Sequence, residues 1–457
     1  MRSTEPALHV LSPRGVPLGD RPLVLIAHGY SGSTVLMRGF ALTLAHAGYT
    51  TVLWDFDGHG TNPRPMPSRE GDDALQANAE VALNALLDYG YGDLDRVAIL
   101  GHSMGSGVAL AFGQEHPGMA ATIAVSPVGT QVTPELPRNL LLMAGELEPR
   151  FVRNAEERLA EAGGPGGDPA AGTARALVVI PGVEHISILF SPTAHAAARD
   201  WLDATFDPQP GAREYTDRRV LWYALGLVGI LLLGGALAPL VAGPAVTATM
   251  YRRPFWWRLA AMAGGALLGT LILWLAGQAG LELSGLLGLQ VGGYLLVWFG
   301  VAGLLSLLLL WTRPSRPSWR AVLGGLMAFA ILWLGVGLSG QLVWLTWFLI
   351  PRRLLLWPLG ALLSLPWFLA AGETVRGARV WGRIGWWLAH SIVLVAAMLV
   401  ALNLNPELGF IILTIPLFPI ILGLHALATG PHRGSWPFAV SGALFFSWLL
   451  LSVFPLQ

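Results

Sequence analysis

Two rhythms of apolar residues divide the chain. Up to about residue 210, apolar runs of four or five residues alternate with longer stretches of mixed polarity. Leu23–Ala27, Thr51–Trp54, Val97–Leu100, Thr122–Val125, Leu140–Met143 and Leu177–Ile180 are apolar or β-branched and close on or near a Gly, Pro, Asp or Ser. Such runs read as buried strands. Between them, Val35–His46, Asp73–Asp88, Ser106–Glu115, Phe151–Ala162 and Thr193–Phe206 carry helical spacing. Alternating strands and helices predict a mostly parallel sheet with helices on both faces. Such sheets bind ligands beyond the carboxyl ends of their strands, so residues just after each run are the first place to look for chemistry.

Beyond residue 219 the short period disappears. Eight long apolar stretches predict membrane-spanning helices: Val220–Val241, Leu259–Gln278, Leu289–Trp311, Ala321–Leu338, Leu354–Ala371, Trp386–Leu402, Phe410–Leu427 and Phe438–Phe454. Gln341–Ile350 is apolar but too short to span; it either lengthens the fourth helix or lies at the interface. Pro416 and Pro419 are expected to kink the seventh span. The chain is thus read as an α/β domain over residues 1–206, a Pro/Gly-containing linker over 207–219, and an all-α transmembrane domain over 220–457. The 54% hydrophobic content of the 457 residues excludes a wholly soluble, disordered or fibrous protein. Only two of the 19 Trp precede residue 211. Trp near span ends and frequent Gly are usual in membrane helices.

Charge sharpens the division. The net charge of zero sums 13 Arg against 23 acids in residues 1–210 and 15 Arg against 5 acids thereafter. The acidic first half argues against nucleic-acid binding. The absence of cysteine excludes disulfides, thiolate metal sites and a cysteine nucleophile. All 28 basic residues are Arg, which excludes Schiff-base and P-loop chemistry. With eight spans, Arg213, Arg218, Arg219, Arg352 and Arg353 fall on the linker side. Arg252, Arg253, Arg258, Arg313, Arg316, Arg320, Arg376, Arg379, Arg383 and Arg433 fall on the other. Ten against five makes that other side cytoplasmic and turns the first domain outward, in a cell (plasma or inner) membrane. Two features pull the other way: the Arg218-Arg219 doublet and an N-terminus without the apolar core of a signal peptide. The outward reading therefore carries the expectation that the natural chain begins further upstream.

The strand ends carry the candidate chemistry. After Val97–Leu100 comes Gly101-His102-Ser103-Met104-Gly105, a G-x-S-x-G between a strand and a helix. The turn must be sharp enough to lift the serine hydroxyl off the sheet, and side chains at either glycine position would collide with the neighbouring strand and helix. With 56 Gly in the chain the pentapeptide alone is a weak signal; its strand–turn–helix setting makes it stronger. After Leu23–Ala27 comes His28-Gly29-Tyr30-Ser31-Gly32, whose Tyr30 amide and that of Met104 are candidates for an oxyanion hole. Asp55-Phe56-Asp57-Gly58-His59-Gly60, Gly145-Glu146-Leu147-Glu148 and Pro181-Gly182-Val183-Glu184-His185 follow three further strands.

These segments together make residues 1–206 resemble an α/β-hydrolase-fold serine hydrolase of the esterase/lipase type. His28-Gly29, the D-x-x-G-H-G of Asp55–Gly60, Gly101–Gly105, G-x-x-E at Gly145–Glu148 and the late His185 carry the resemblance. The family's order of nucleophile, acid and histidine implies Ser103, Glu148 and His185. The family usually has Asp at the acid position, with Glu a variant, and Glu146 two residues away is the alternative. Gly101, His102, Gly105, His28 and Gly29 are assigned to building the elbow. The roles implied are attack by Ser103, proton transfer by His185, and orientation of the imidazole by Glu148.

Other residues read as structural. His59 and His102 fill gaps beside the elbow, Glu184 is a solvated neighbour, and His116 and His195 lie on exposed helix ends or faces. Tyr30, Met66 and Met104 either line an acyl pocket or fill core. Only Pro127–Arg138 separates two strands where many lipases insert a lid, so the site is expected to be open. No metal or organic cofactor is implied. Inside the spans only His390 and His425 are ionisable, with Glu282, Glu373 and Glu407 in or near loops. Membrane histidines are more often hydrogen bonders between helices than relays. Two functions compete. One is a membrane-bound serine hydrolase acting on an apolar or lipid acyl substrate among membrane lipids. The other is a transporter or lipid-handling protein whose hydrolase-like domain binds or regulates. A peptidase or thioesterase on the same scaffold would share the triad chemistry. The oligomeric state has no signature in the sequence.

Overall fold

The computed structural model describes residues 6–17, 19–66, 72–88, 94–242, 253–432 and 434–457. The chain divides into two compact units, one of residues 1–221 with 342–346 and 456, the other of the remainder.

The first unit is built on a seven-stranded sheet of order β1-β3-β2-β4-β5-β6-β7. Its strands are β1 Leu8–Leu11, β2 Leu23–Ala27, β3 Thr50–Trp54, β4 Val97–His102, β5 Ala121–Val125, β6 Leu140–Gly145 and β7 Arg175–Ile180. All pairings are parallel except β1 with β3. β1 was not expected. It is a four-residue edge strand, half-exposed, with too short an alternation to stand out. The helices are α1 Arg38–His46, α2 Asp72–Leu87, α3 Met104–Glu115, α4 Pro149–Glu161 and α5 Pro192–Phe206.

Alternation along the strands sorts the core. Ala98 and Leu100 of β4 face α1 and α5 with Phe40, Leu44 and Leu202, while Val97 and Ile99 face α2 and α3 with Leu83, Val108 and Phe112. Helices therefore cover both faces and leave the carboxyl ends of β2, β4, β5, β6 and β7 along one edge. This is the α/β-hydrolase fold. The β5–β6 connection contains no helix or strand.

The segment expected to be a linker has no regular structure but lies against the first unit. Arg21 donates from Nη2 to the Pro210 carbonyl at 2.9 Å, the Arg213 amide donates to His46 at 2.8 Å, and Tyr215 stacks on His46 with ring centres 4.5 Å apart.

The second unit is helical: α6 Arg219–Ala242 (its first turn grouped with the first unit), α7 Phe255–Gln278, α8 Gly292–Leu310, α9 Trp319–Leu332, α10 Pro351–Val375, α11 Val380–Leu404, α12 Leu417–Thr429 and α13 Ser435–Val453. Seven helical stretches among the described residues are long and apolar enough to cross a membrane. The eighth expected span is a pair, Pro406–Leu413 and α12, bent by 51°. Pro416 stands at the N-cap of α12 and Pro419 in its first turn, where a missing N–H is tolerated. The fourth span continues from α9 through a π-turn, Trp333–Leu338, into the short 3₁₀ turn Gly340–Leu342. Residues 343–350 are irregular, so Gln341–Ile350 only begins as an extension of that helix. Arg252 and Arg433, counted above for sidedness, lie outside the described residues.

Close packing in this unit uses small residues. A Cβ on Gly269 of α7 would sit 2.9 Å from the Ala302 Cα of α8, so only glycine lets these backbones meet. Two buried histidines are paired across helices. Thr374 and Ser441 spend their hydroxyl protons on carbonyls and accept from the Nε2–H of His390 and His425, each at 2.9 Å. Arg353, fully buried, donates from Nη1 to the Leu451 carbonyl and, at 2.8 Å, to that of Phe454. A cation there complements the carbonyl end of α13. Glu373, expected in or near a loop, stands two residues before the end of α10, fully buried, with Arg376 3.3 Å away.

Candidate active site

Ser103 lies between β4 and α3 with φ 52° and ψ −120°, a conformation costing a non-glycine residue about 1–3 kcal/mol. Its surroundings impose that conformation. The Ser103 amide donates to the Val125 carbonyl at 2.9 Å, and the Ser103 carbonyl accepts from Ser106 at 2.8 Å. A Cβ on Gly105 would lie 2.6 Å from the carbonyl oxygens of both Ala27 and His28, and one on Gly101 would strike the Gly105 carbonyl. Both glycines are thus demanded by close backbone approach.

His185 follows β7 on a turn that Glu184 organises. The Glu184 carboxylate accepts from the Ile186 amide at 3.0 Å and the Ser187 amide at 2.8 Å, so this exposed residue caps the turn as well as meeting solvent. Buried His102 donates from Nε2 to the His185 carbonyl at 2.9 Å, and Phe151 of α4 stacks on the His185 ring at 4.3 Å. These contacts aim the imidazole. Its Nε2 lies 3.0 Å from the Ser103 Oγ and its Nδ1 2.7 Å from Glu148 Oε2.

Glu148 is held in turn. Its Oε1 accepts from the Ser126 hydroxyl at 2.7 Å and the Gly145 amide at 2.6 Å. Its side chain is 5% exposed, against 16% for His185, so the acid is sealed while the imidazole edge stays open. Glu146 is exposed and accepts instead from the Gly182 amide at 2.9 Å. The structure brings Glu148, not Glu146, to His185.

Both flanking histidines are wired as neutral framework. His28 donates from Nδ1 to Gly29 at 2.8 Å and accepts at Nε2 from the Phe56 amide at 3.0 Å, tying β2 to the loop after β3. Burial pushes its pKa below the ordinary histidine value. Burial pushes His102 down further, helped by the neighbouring His185 charge. Asp55 anchors the same loop by accepting from the amides of Thr34 and Thr61, each at 2.8 Å. His59 donates from Nδ1 to the Asp57 carbonyl at 2.9 Å.

Gly29 packs against the elbow, a Cβ there lying 3.1 Å from that of Ser103, which sets the Gly29–Tyr30 backbone beside the serine. Met104 is the first residue of α3, so its amide has no intrahelical acceptor. The Met104 side chain packs into the α2–α3 core, and Met66 lies against Gly58. His195 corrects its sequence reading: it is buried, 1% exposed, with its ring nitrogen 2.9 Å from the Leu189 carbonyl. His116 meets Glu80 at 2.6 Å at the end of α3.

Sequence reasoning missed Ser126 and Phe151. Ser126 stands directly after β5, the kind of strand-end position that the fold marks as informative, so a signal existed. Phe151 carried none. Among the described residues no group of three or more His, Asp or Glu is placed to hold a metal ion. A serine hydroxyl bonded to an imidazole whose other nitrogen meets a buried carboxylate has the geometry needed to activate the hydroxyl as a nucleophile.

Comparison with known proteins finds partial matches. Residues 20–163 match the sequence model of the family described as Serine aminopeptidase, S33. An uncharacterized protein of Mycobacterium tuberculosis (strain ATCC 25618 / H37Rv) is 31% identical over 130 residues, covering 27% of this chain and 45% of that protein. A thermostable monoacylglycerol lipase of Bacillus sp. (strain H-257) is 30% identical over 107 residues, 22% of this chain and 39% of that one. The chain thus spans less than half the length of these curated relatives. A soluble variant of monoglyceride lipase from Saccharomyces cerevisiae aligns in structure at 15% identity over 43% of this chain and 90% of that one, with a TM-score of 0.33.

Proposed function

We propose that this chain, whose first unit is an α/β-hydrolase domain, is a membrane-bound serine hydrolase that cleaves an ester through an acyl-serine intermediate. The observation that carries the reading is the hydrogen-bonded line from the Ser103 Oγ through His185 to Glu148. In the first step His185 Nε2 takes the Ser103 proton as Oγ adds to the acyl carbon. Glu148 holds the Nδ1–H tautomer and balances the imidazolium charge. The oxyanion is assigned to the amides of Tyr30 and Met104. The imidazolium then protonates the leaving alcohol as the carbon–oxygen bond breaks. Water deacylates the serine by the same proton transfers in reverse.

An apolar acyl substrate, of lipid kind, fits the surroundings. Leu147, beside Glu148, is 61% exposed and Ile186, beside His185, is 39% exposed, so the rim offers apolar surface. No helix covers it from the β5–β6 connection. The Bacillus relative's name, monoacylglycerol lipase, points the same way. The apolar helices of the second unit would keep the enzyme in a membrane, with the hydrolase domain on the outer side by the Arg count.

The test is labelling with a membrane-impermeant fluorophosphonate on intact and on lysed cells, with Ser103→Ala as control. Ser103-dependent labelling of intact cells is expected. Labelling only after lysis would reverse the sidedness. Absence of Ser103-dependent labelling in both would overturn the serine-hydrolase reading.

A further inference from the structure

In the second unit a crevice of about 990 Å³ opens between the first turns of α11 and the length of α12. That volume lies at the upper end of small-molecule sites, roughly 300–1,000 Å³. Its body is apolar, with Ile384, Ile420, Leu424 and Leu427 on the walls, and Gly423 and Gly430 omitting the side chains that would fill it. Trp387 forms the back, held by its Nε1–H donating to the Pro419 carbonyl at 2.7 Å. The bend before α12 sits at the far end of this wall from Gly430.

The polar end of the crevice has one sign. Arg379 and Arg383 line it, and no acidic side chain does among the described residues. The two are four apart on one helix face, Arg379 exposed at the N-cap of α11 and Arg383 half-buried a turn further in. This is the depth at which a helix leaves the hydrocarbon, and Trp381, 83% exposed, marks the same level. The adjoining polar cavity, lined by Arg376, His390 and His432, measures about 20 Å³, room for one water and not for a phosphate. An anionic group therefore belongs at the mouth, on Arg379 and Arg383, with its apolar tail running along α12.

We infer that the α11–α12 crevice is a binding site for an anionic phospholipid, with the head-group phosphate on Arg379 and Arg383 and one acyl chain against Trp387 and α12. The inference rests on the membrane reading of the second unit and is independent of the hydrolytic one. A guanidinium pair recognises phosphate by charge-assisted bonds, and its own positive charge repels a choline or other cationic head.

The full chain, purified in mild detergent, is photolabelled with phosphatidylglycerol bearing a diazirine in its acyl chain, and adducts are mapped by peptide mass spectrometry. Adducts within residues 377–387 and 419–431 are expected. Competition by unlabelled phosphatidylglycerol should exceed that by phosphatidylcholine at least tenfold. Arg379→Gln, at an exposed position, and Arg379→Gln/Arg383→Gln should lower labelling progressively. Equal competition by the two lipids, or adducts spread over all helices, would mean annular lipid only and overturn the inference. Competition by inorganic phosphate as effective as by the lipid would also overturn it, in favour of a soluble anion. Extraction of the chain from membranes by alkaline carbonate would instead remove the membrane reading itself.

Discussion

Replacing Glu148 by Gln tests the proposed site where its geometry is most constraining. The change is nearly isosteric and keeps Oε1 as an acceptor. Two donors fix which way the amide must turn, the Ser126 hydroxyl at 2.7 Å and the Gly145 amide at 2.6 Å. The hydroxyl can rotate away, but the Gly145 N–H cannot. Turning the Gln NH₂ toward it would leave a buried donor unpaired, at about 1–3 kcal/mol. The oxygen therefore stays on Gly145, and the NH₂ faces His185 Nδ1 across the position now 2.7 Å away. An NH₂ there cannot accept, so the imidazole must carry its proton on Nε2. Nε2–H then donates to Ser103 instead of removing its proton. Loss of the correct tautomer costs on the order of 10⁴ in rate, about 5.4 kcal/mol of transition-state stabilisation. The assay is the second-order rate of fluorophosphonate labelling, together with hydrolysis of a p-nitrophenyl ester. Thermal unfolding of each variant confirms the fold. Glu146→Gln, whose carboxylate meets only the Gly182 amide among these groups, should stay within about twofold of wild type. A folded Glu148→Gln protein within tenfold of wild type would refute the reasoning. So would a loss in Glu146→Gln that Glu148→Gln does not show.

Further outcomes follow from the same contacts. Ser126→Ala removes one hydrogen bond to the carboxylate, about 1.5–3 kcal/mol, and should lower ester hydrolysis roughly ten- to a hundredfold without changing the substrate KM. Ser103→Gly relieves the positive φ and should raise the unfolding free energy by about 1 kcal/mol in denaturant titration while abolishing labelling. Gly105→Ala should fail to accumulate as folded protein, judged by size-exclusion chromatography, because its Cβ would meet two carbonyl oxygens at 2.6 Å. His28, His102 and His195 have lowered pKa values in the folded protein, with burial the largest cause. Their neutral forms are favoured by folding, so stability is full above the unfolded value near 6.5 and falls as pH drops below it. Each group lowers it by about 1.4 kcal/mol per pH unit until its folded pKa is reached. Unfolding of the first unit between pH 7.5 and 5 should show this slope, and His195→Gln should lessen it.

How far the sequence could be read depended on how local each signal was. β2 was legible to the residue because Leu23–Ala27 is a wholly buried run between Pro22 and His28. β1 was not, since its identity comes from pairing with β3 some 40 residues away. The elbow was legible because Gly101 and Gly105 answer a steric demand within five residues. The choice between Glu148 and Glu146 rested on resemblance. In the structure it is set by where the turn after β6 points each carboxylate, a property of backbone direction that composition does not encode. Ser126 and Phe151 act across 22 and 34 positions of sequence; the strand end before Ser126 was a local signal for it, and Phe151 had none. His195 misled because a histidine on a mixed-polarity helix looks solvent-facing, whereas this one fills a gap against Phe40. Glu373 fell outside the expected span because an apolar window stops at the first charge, although α10 runs on through it to Val375.

Arg353 has a consequence for how such a molecule is made. Its carbonyl partners lie 98 and 101 residues further along the chain. At about 5–20 residues per second, a ribosome needs roughly 5–20 s to produce them after Arg353 itself. During that interval the two carbonyls at the end of α13 are not yet there to accept from Arg353. Settling of α10 is thereby timed to the arrival of α13.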